Sequence, residues 1–214
     1  MQLNRNKIIK ICGMRDSGNI GVISLLPIDY MGFIFYKPSK RNALGIDTEI
    51  LFSLPKRIKP VGVFVDEDIK DVLQITRQYR FKTVQLHGNE SPEYCKDLKN
   101  EGLEIIKAVR IPEISEENVF SELERYHDSI EMFLFDTAGK NPGGNGIKFD
   151  WSILEKYNLP IPFLVSGGIG PDDADLINRL NHPLNIGIDL NSGFEITPGY
   201  KDPEKLKMFI SKII

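Results

Sequence analysis

Phe163-Leu164-Val165-Ser166-Gly167-Gly168-Ile169-Gly170-Pro171-Asp172-Asp173 packs an apolar run, a glycine turn and a helix-start signal into one short stretch. The run 163–166 suits a strand covered on both faces, as parallel strands are when helices pack against them. Pro171 fits a first helical turn, where a missing N–H costs nothing. Asp172 and Asp173 complement the positive end of a helix dipole. The same order recurs along the chain. Residues 7–12, 30–35, 60–65, 83–86, 104–109, 132–136 and 185–190 are strand-like runs, β-branched or aromatic. Between them, 66–80 carries Ile69, Val72, Leu73 and Ile75 near helical spacing, and 91–100 opens on a serine cap with Pro92 behind it. Lys201-Asp202-Pro203-Glu204 repeats the start signal. Eight strand–helix units in 214 residues take about 27 residues each. The pattern predicts an α/β fold, a (β/α)8 TIM barrel formed as a single domain over 1–214. An open doubly wound sheet is the alternative, because strand count alone does not close a barrel.

The bulk properties narrow the function. Net charge is -3, so no broad basic field points to nucleic acid. No run of about 18 apolar residues offers a membrane span. Lys7 and Lys10 interrupt Ile8, Ile9 and Ile11, so the start does not resemble a secretion signal. The two cysteines, Cys12 and Cys95, form no CxxC and no zinc pattern, which fits a reducing, cytoplasmic setting. Neither GxGxxG nor a P-loop occurs, and no cofactor or metal is expected. Monomer and homodimer both stay open.

A barrel places its chemistry at the C-terminal ends of its strands. Cys12 and Asp136 each end an apolar run there. Lys10 and Cys12 share a strand face, and an ammonium beside a thiol favours thiolate. Cys12 is either a base of this kind or a small buried hydrophobe. Met132, Leu134 and Asp136 share a face. An aspartate with a pKa near about 3.9 needs an apolar barrel interior beneath it to stay protonated at neutral pH. The alternative is a loop-anchoring carboxylate. Arg41, beyond the second strand, is placed to grip a carboxylate with two parallel bonds, or else belongs to a solvated basic loop with Lys37 and Lys40. Gln85 and His87 share a face and are candidate pocket residues, a structural histidine being the other reading. Residues 136–150 read as a glycine-rich mobile loop over the same face, or a plain surface loop. Cys95 and Trp151 read as helix packing.

Two glycine turns follow the last two strands. Gly167 and Gly168 precede the expected seventh helix, and Asn191, Ser192 and Gly193 lie where a short helix is expected to start, over 192–195. Glycines let backbone N–H groups approach an anion, and barrels often hold a phosphate between these two loops. The expected ligand is a small phosphosugar.

In order, the chain carries Lys10-Ile11-Cys12-Gly13, Gly32-Phe33-Ile34-Phe35, Ser39-Lys40-Arg41, Gly62-Val63-Phe64-Val65 and Gln85-Leu86-His87-Gly88. Asp136-Thr137, Gly143-Gly144-Asn145-Gly146, Phe149-Asp150-Trp151, Ser166-Gly167-Gly168-Ile169, the stretch from Asp189 to Glu195, and Lys201-Asp202 follow. This series resembles the phosphoribosylanthranilate isomerase family, barrel enzymes of tryptophan synthesis, over nearly the whole length. The resemblance implies Cys12 as general base, Asp136 as general acid, Arg41 as holder of the anthranilate carboxylate, and Gly167, Gly168, Ser192 and Gly193 as phosphate loops. It implies an Amadori rearrangement. The chain departs from the family at Lys40, Ser166, Asn145 and Arg15, none of which has a proton to move in that reaction. Among competing functions, a ring-closing synthase asks for a lysine acid and glutamates at strand ends. A metal-dependent epimerase asks for histidines and paired aspartates. A non-catalytic phosphate-ligand binder has no use for both proton carriers.

Overall fold

The computed structural model describes residues 7–112, 119–138 and 149–213. Eight parallel strands close into a barrel in chain order: β1 (Ile8–Ile11), β2 (Tyr30–Ile34), β3 (Lys59–Phe64), β4 (Thr83–Leu86), β5 (Glu104–Ile111), β6 (Met132–Thr137), β7 (Phe163–Val165) and β8 (Asn185–Leu190). The closed barrel is the predicted fold, and the open sheet is set aside by the pairing of β1 with β8. That seam aligns Lys10 with Asp189.

Alternation along the strands divides the core. Val61, Val63, Ile106, Ala108, Met132, Leu134 and Leu164 pack with Cys12 inside the barrel. Phe64, Phe133, Phe135 and Phe163 point outward into a second layer against the surrounding helices. Met132 and Leu134 therefore place Asp136 on the inner face, as the period of two requires.

Among the described residues, six α-helices cover the outside: α1 (Ser17–Ile23), α2 (Thr48–Phe52), α3 (Ile69–Tyr79), α4 (Pro92–Asn100), α5 (Ala174–Arg179) and α6 (Pro203–Ile213). The cap read at Ser91 is present: its side chain accepts from Tyr94 N, with Pro92 in the first turn. Two expected helices are shorter. After β5 and β6, only 3-10 turns form among the described residues, at Ser121–Tyr126 and Trp151–Lys156. Aromatic packing fills that side. Phe135 meets Phe120, Tyr157 and Phe163 at ring-centroid distances of 5.3, 5.3 and 5.0 Å. Trp151 is buried in this outer layer, as its packing role demands, and Cys95 is buried in α4. Its thiol is pushed up to about 12, chiefly by burial.

The helix start expected at Pro171 is a correction. Pro171 and Asp172 form a turn, and α5 begins at Ala174. Asp173 holds the N-cap position of α5 without a side-chain cap bond; its Oδ2 accepts from Gly170 N at 2.6 Å and so ties down the glycine turn. A short 3-10 turn does follow β8, at Ser192–Phe194. Beyond it, β9 (Glu195–Thr197) and β10 (Tyr200–Lys201) pair antiparallel, which sets Glu195 opposite Lys201.

Candidate active site

At the C-terminal ends of the strands lies an open cavity. Cys12 comes from the end of β1, Gln85 and His87 from β4 and just past it, Asp136 from β6, Gly167 and Gly168 from the β7 loop, and Asn191 and Ser192 from the β8 loop. Arg41 enters from the segment after β2. Nine residues singled out in the sequence thus meet in one place. Lys10 and Gly193 line nothing there. Lys10 is fully buried below the floor, and Gly193 serves by lacking a side chain: a Cβ would collide with the Ile169 carbonyl and lie 3.1 Å from Gly170 Cα. Its absence lets the β8 loop rest on the β7 loop. Residues 143–146, which carry the glycine-rich loop signal, fall outside the described residues.

Cys12 is 3% exposed. A point beside Gly32 lies 2.9 Å from its Sγ and 3.2 Å from Lys10 Nζ, so thiol and ammonium are neighbours. Thiolate is nevertheless not favoured in the unliganded site. Lys10 Nζ is committed to Asp189 Oδ1 at 2.9 Å. Burial pushes the Cys12 thiol up, the Asp189 carboxylate adds to this, and the Lys10 and Lys201 charges only partly offset it. Burial also works against the Lys10 ammonium, but Asp189 and Cys12 together hold it above the usual lysine range. The expectation that Lys10 alone would ionise the thiol omitted its partner across the barrel seam.

The Asp136 carboxyl does not rest on a purely apolar floor. Its Oδ1 accepts from Thr137 N at 2.9 Å, and its Oδ2 lies 3.1 Å from His87 Nε2. Gly167, at φ 88°, is what lets the β7 loop come this close: a Cβ there would sit 2.6 Å from Thr137 N and 2.9 Å from Asp136 Oδ1.

Across the cavity, Arg41 makes two parallel bonds to Glu195, Nε to Oε1 at 2.8 Å and Nη2 to Oε2 at 2.7 Å. The fork read as free for a ligand is therefore half occupied by the protein itself. Lys201 Nζ, fully buried, donates to Glu195 Oε1 at 2.8 Å and to Asn191 Oδ1 at 2.7 Å. Two cations thus share one carboxylate, and the cluster keeps a net positive charge at the cavity wall. Sequence reading gave Glu195 and Lys201 no role. The turn between β9 and β10 that joins them has no hydrophobic run to announce it.

Burial penalises the Glu195 carboxylate, but the bonds from Arg41 and the Lys201 charge outweigh that and hold its pKa down to about 2. A depressed folded value contributes stability that is fully present above about 4.5 and is lost as pH falls toward about 2. Glu195→Gln is expected to flatten the dependence of the denaturant midpoint on pH in that window. A wild-type slope there would contradict the pairing.

A third group of donors completes the site. The backbone N–H groups of Gly167, Gly168, Ile169, Ser192 and Gly193 make no hydrogen bond to another described residue. They belong to the two loops that touch at Gly193. Free N–H groups on two touching glycine loops are the makings of an anion cradle.

A family model described as N-(5'phosphoribosyl)anthranilate (PRA) isomerase matches residues 9–212. The chain belongs to this family. An N-(5'-phosphoribosyl)anthranilate isomerase of Parabacteroides distasonis is 46% identical over 209 residues, covering 97% of this chain and 93% of that protein. The crystal structure of the phosphoribosyl anthranilate isomerase of Thermotoga maritima superposes with a TM-score of 0.81 at 31% identity, over 97% of this chain and 98% of the other. A further family structure, in complex with reduced 1-(o-carboxyphenylamino)-1-deoxyribulose 5-phosphate, superposes at 0.79 with 30% identity over 97% and 98% of the two chains. The family's ligand in that complex carries a carboxylate, a sugar-derived chain and a phosphate.

Proposed function

We infer that the protein isomerises N-(5-phosphoribosyl)anthranilate to 1-(2-carboxyphenylamino)-1-deoxyribulose 5-phosphate, an Amadori step in tryptophan synthesis. The observation that carries this is the meeting of a thiol, a carboxyl, a guanidinium and a cradle of free N–H groups around one cavity in a chain of this family. We assign the phosphate to Gly167, Gly168, Ser192 and Gly193, with Asn191 held in place by Lys201. The anthranilate carboxylate goes to Arg41, on the guanidinium edge that Glu195 leaves unused.

Asp136 gives its proton to the furanose ring oxygen. The bond from that oxygen to C1′ breaks as the nitrogen lone pair forms the C1′=N bond, giving a Schiff base. Cys12 thiolate takes the C2′ proton, and the electron pair moves through C1′=C2′ to neutralise nitrogen. The enolamine then gains a proton at C1′ and loses its C2′ hydroxyl proton to become the ketone. Each general acid–base step is worth on the order of 10²–10⁴-fold. A cytoplasmic setting is inferred from the biosynthetic step. Among the described residues, no helix is long and apolar enough to cross a membrane.

Mixing freshly prepared phosphoribosylanthranilate with the protein and following carbon and phosphorus NMR is the test. A ketone at C2′ with the phosphate ester intact is expected. Unchanged substrate beyond its spontaneous decay would leave only the binding-protein reading. Arg41→Ala is expected to raise KM by about 10-fold or more, the loss of a charge-assisted pair, while kcat changes less. An unchanged KM would remove Arg41 from carboxylate binding.

A further inference from the structure

Gln85 and His87 stand two residues apart and face the same way into the barrel mouth. Gln85 Nε2 lies 2.8 Å from His87 Nδ1, and His87 Nε2 lies 3.1 Å from Asp136 Oδ2. Gln85 is fully buried, yet its Oε1 has no hydrogen-bond partner among the described residues, although it belongs to the cavity wall. An unpartnered buried acceptor is destabilising, so a position that keeps one at a ligand cavity points to a ligand donor.

The protons in this row have one consistent direction. A neutral imidazole donates at one nitrogen and accepts at the other. With the Gln85 NH₂ donating to Nδ1, the ring proton sits on Nε2 and donates to Asp136 Oδ2. Turning the amide over puts the proton on Nδ1 and makes Nε2 an acceptor, which draws the Asp136 proton toward the ring and away from the substrate. A hydroxyl or N–H of the substrate that donates to Oε1 holds the amide in the first orientation.

We propose that Gln85 and His87 are positioning residues for Asp136: Gln85, itself held by a substrate hydroxyl, fixes His87 as the Nε2–H tautomer, and His87 donates to the carboxylate that Asp136 becomes as it protonates the substrate. The proposal rests on Asp136 being the proton donor. A neutral hydrogen bond to the acid becomes charge-assisted as the proton leaves, so it strengthens toward the transition state, which is what raises kcat rather than lowering KM. The other charges facing the row are already paired. Asp189, which acts on both His87 and Asp136, is joined to Lys10. Glu90 and Lys107 are joined to each other behind Gly88, at 3.0 Å. Among the described residues Cys12 and Tyr36 also line the cavity with titratable groups, and burial pushes the Cys12 thiol up.

The test is ¹⁵N NMR of His87 in the wild-type protein at neutral pH, free and with the isomerised product bound, together with kinetics of three variants. Expected is an unprotonated Nδ1 and a protonated Nε2, more fully so with product bound. Gln85→Glu, whose carboxylate can only accept, is expected to move the proton to Nδ1 and lower kcat by about 10-fold or more with KM nearly unchanged. His87→Leu is expected to lower kcat by about 10- to 100-fold, and His87→Gln, which returns an N–H donor at similar reach, to recover most of it. An Nδ1–H tautomer in the wild type, or wild-type kcat in a folded His87→Leu protein, overturns the proposal. Asp136→Asn separates the two levels. If it too keeps wild-type kcat, the acid assignment itself has failed; if it is crippled while His87→Leu is not, only the Gln85–His87 role has failed.

Discussion

Cys12→Ala is expected to lower kcat by at least about 10²-fold and to move KM much less. The thiol belongs to the barrel interior, beside Lys10 and beneath the cavity, and deleting it takes away the group assigned to the C2′ proton. KM stays near wild type because the assigned carboxylate and phosphate contacts come from the loops after β2, β7 and β8, which the substitution does not touch. Cys12→Ser keeps nearly the same shape and is expected to fall with alanine, because a hydroxyl beside Lys10 is far harder to ionise than a thiol. Burial sets the cost that the reaction has to meet. The unliganded site holds the thiol up, so kcat/KM is expected to rise with pH through the neutral range as thiolate becomes more available. Near-wild-type turnover by Cys12→Ala would remove the residue from the mechanism.

Asp136→Asn is expected to cost at least about 10²-fold in kcat as well. Asparagine keeps the size of the side chain and one acceptor oxygen for Thr137 N, while its NH₂ faces His87 Nε2, which can accept as the other tautomer. It has no proton to give to a leaving ring oxygen. Folding and ligand affinity are therefore expected to survive, and the loss to appear in the chemical step. Because Cys12 and Asp136 serve one reaction, the double variant is expected to lose less than the product of the two single losses, as groups that act as a unit do. A fully multiplicative loss would mean that the two residues contribute independently to one and the same transition state.

The barrel was legible because its strands are short, apolar and evenly spaced. All eight fall where the runs predict, and the inner face follows from a period of two at Met132, Leu134 and Asp136. Pro92 and Ser91 marked a true helix start, because a cap is a local interaction. Pro171 marked a false one. Asp173 bonds back to Gly170 instead of giving α5 a side-chain cap bond, a choice made by the tertiary packing of the two glycine loops. The outer 3-10 turns were likewise hidden, since aromatic rings rather than helical periodicity cover β6 and β7 on that side. In the site, the residues were visible but their partners were not. Lys10 finds Asp189 only because the barrel closes, and Arg41 finds Glu195 at a separation of 154 residues. Sequence spacing carries no trace of contacts that distant, so the raised Cys12 thiol and the free edge of Arg41 come only from the folded chain.

The most direct measurement is turnover of freshly made phosphoribosylanthranilate by the wild-type protein, Cys12→Ala and Asp136→Asn side by side, followed as loss of the substrate's fluorescence with enzyme in excess. Rapid loss with the wild type, and a rate lower by about 10²-fold or more with each folded variant, is the predicted result. Equal rates in all three proteins, or no loss with the wild type, would contradict an acid–base isomerisation carried by this thiol and this carboxyl.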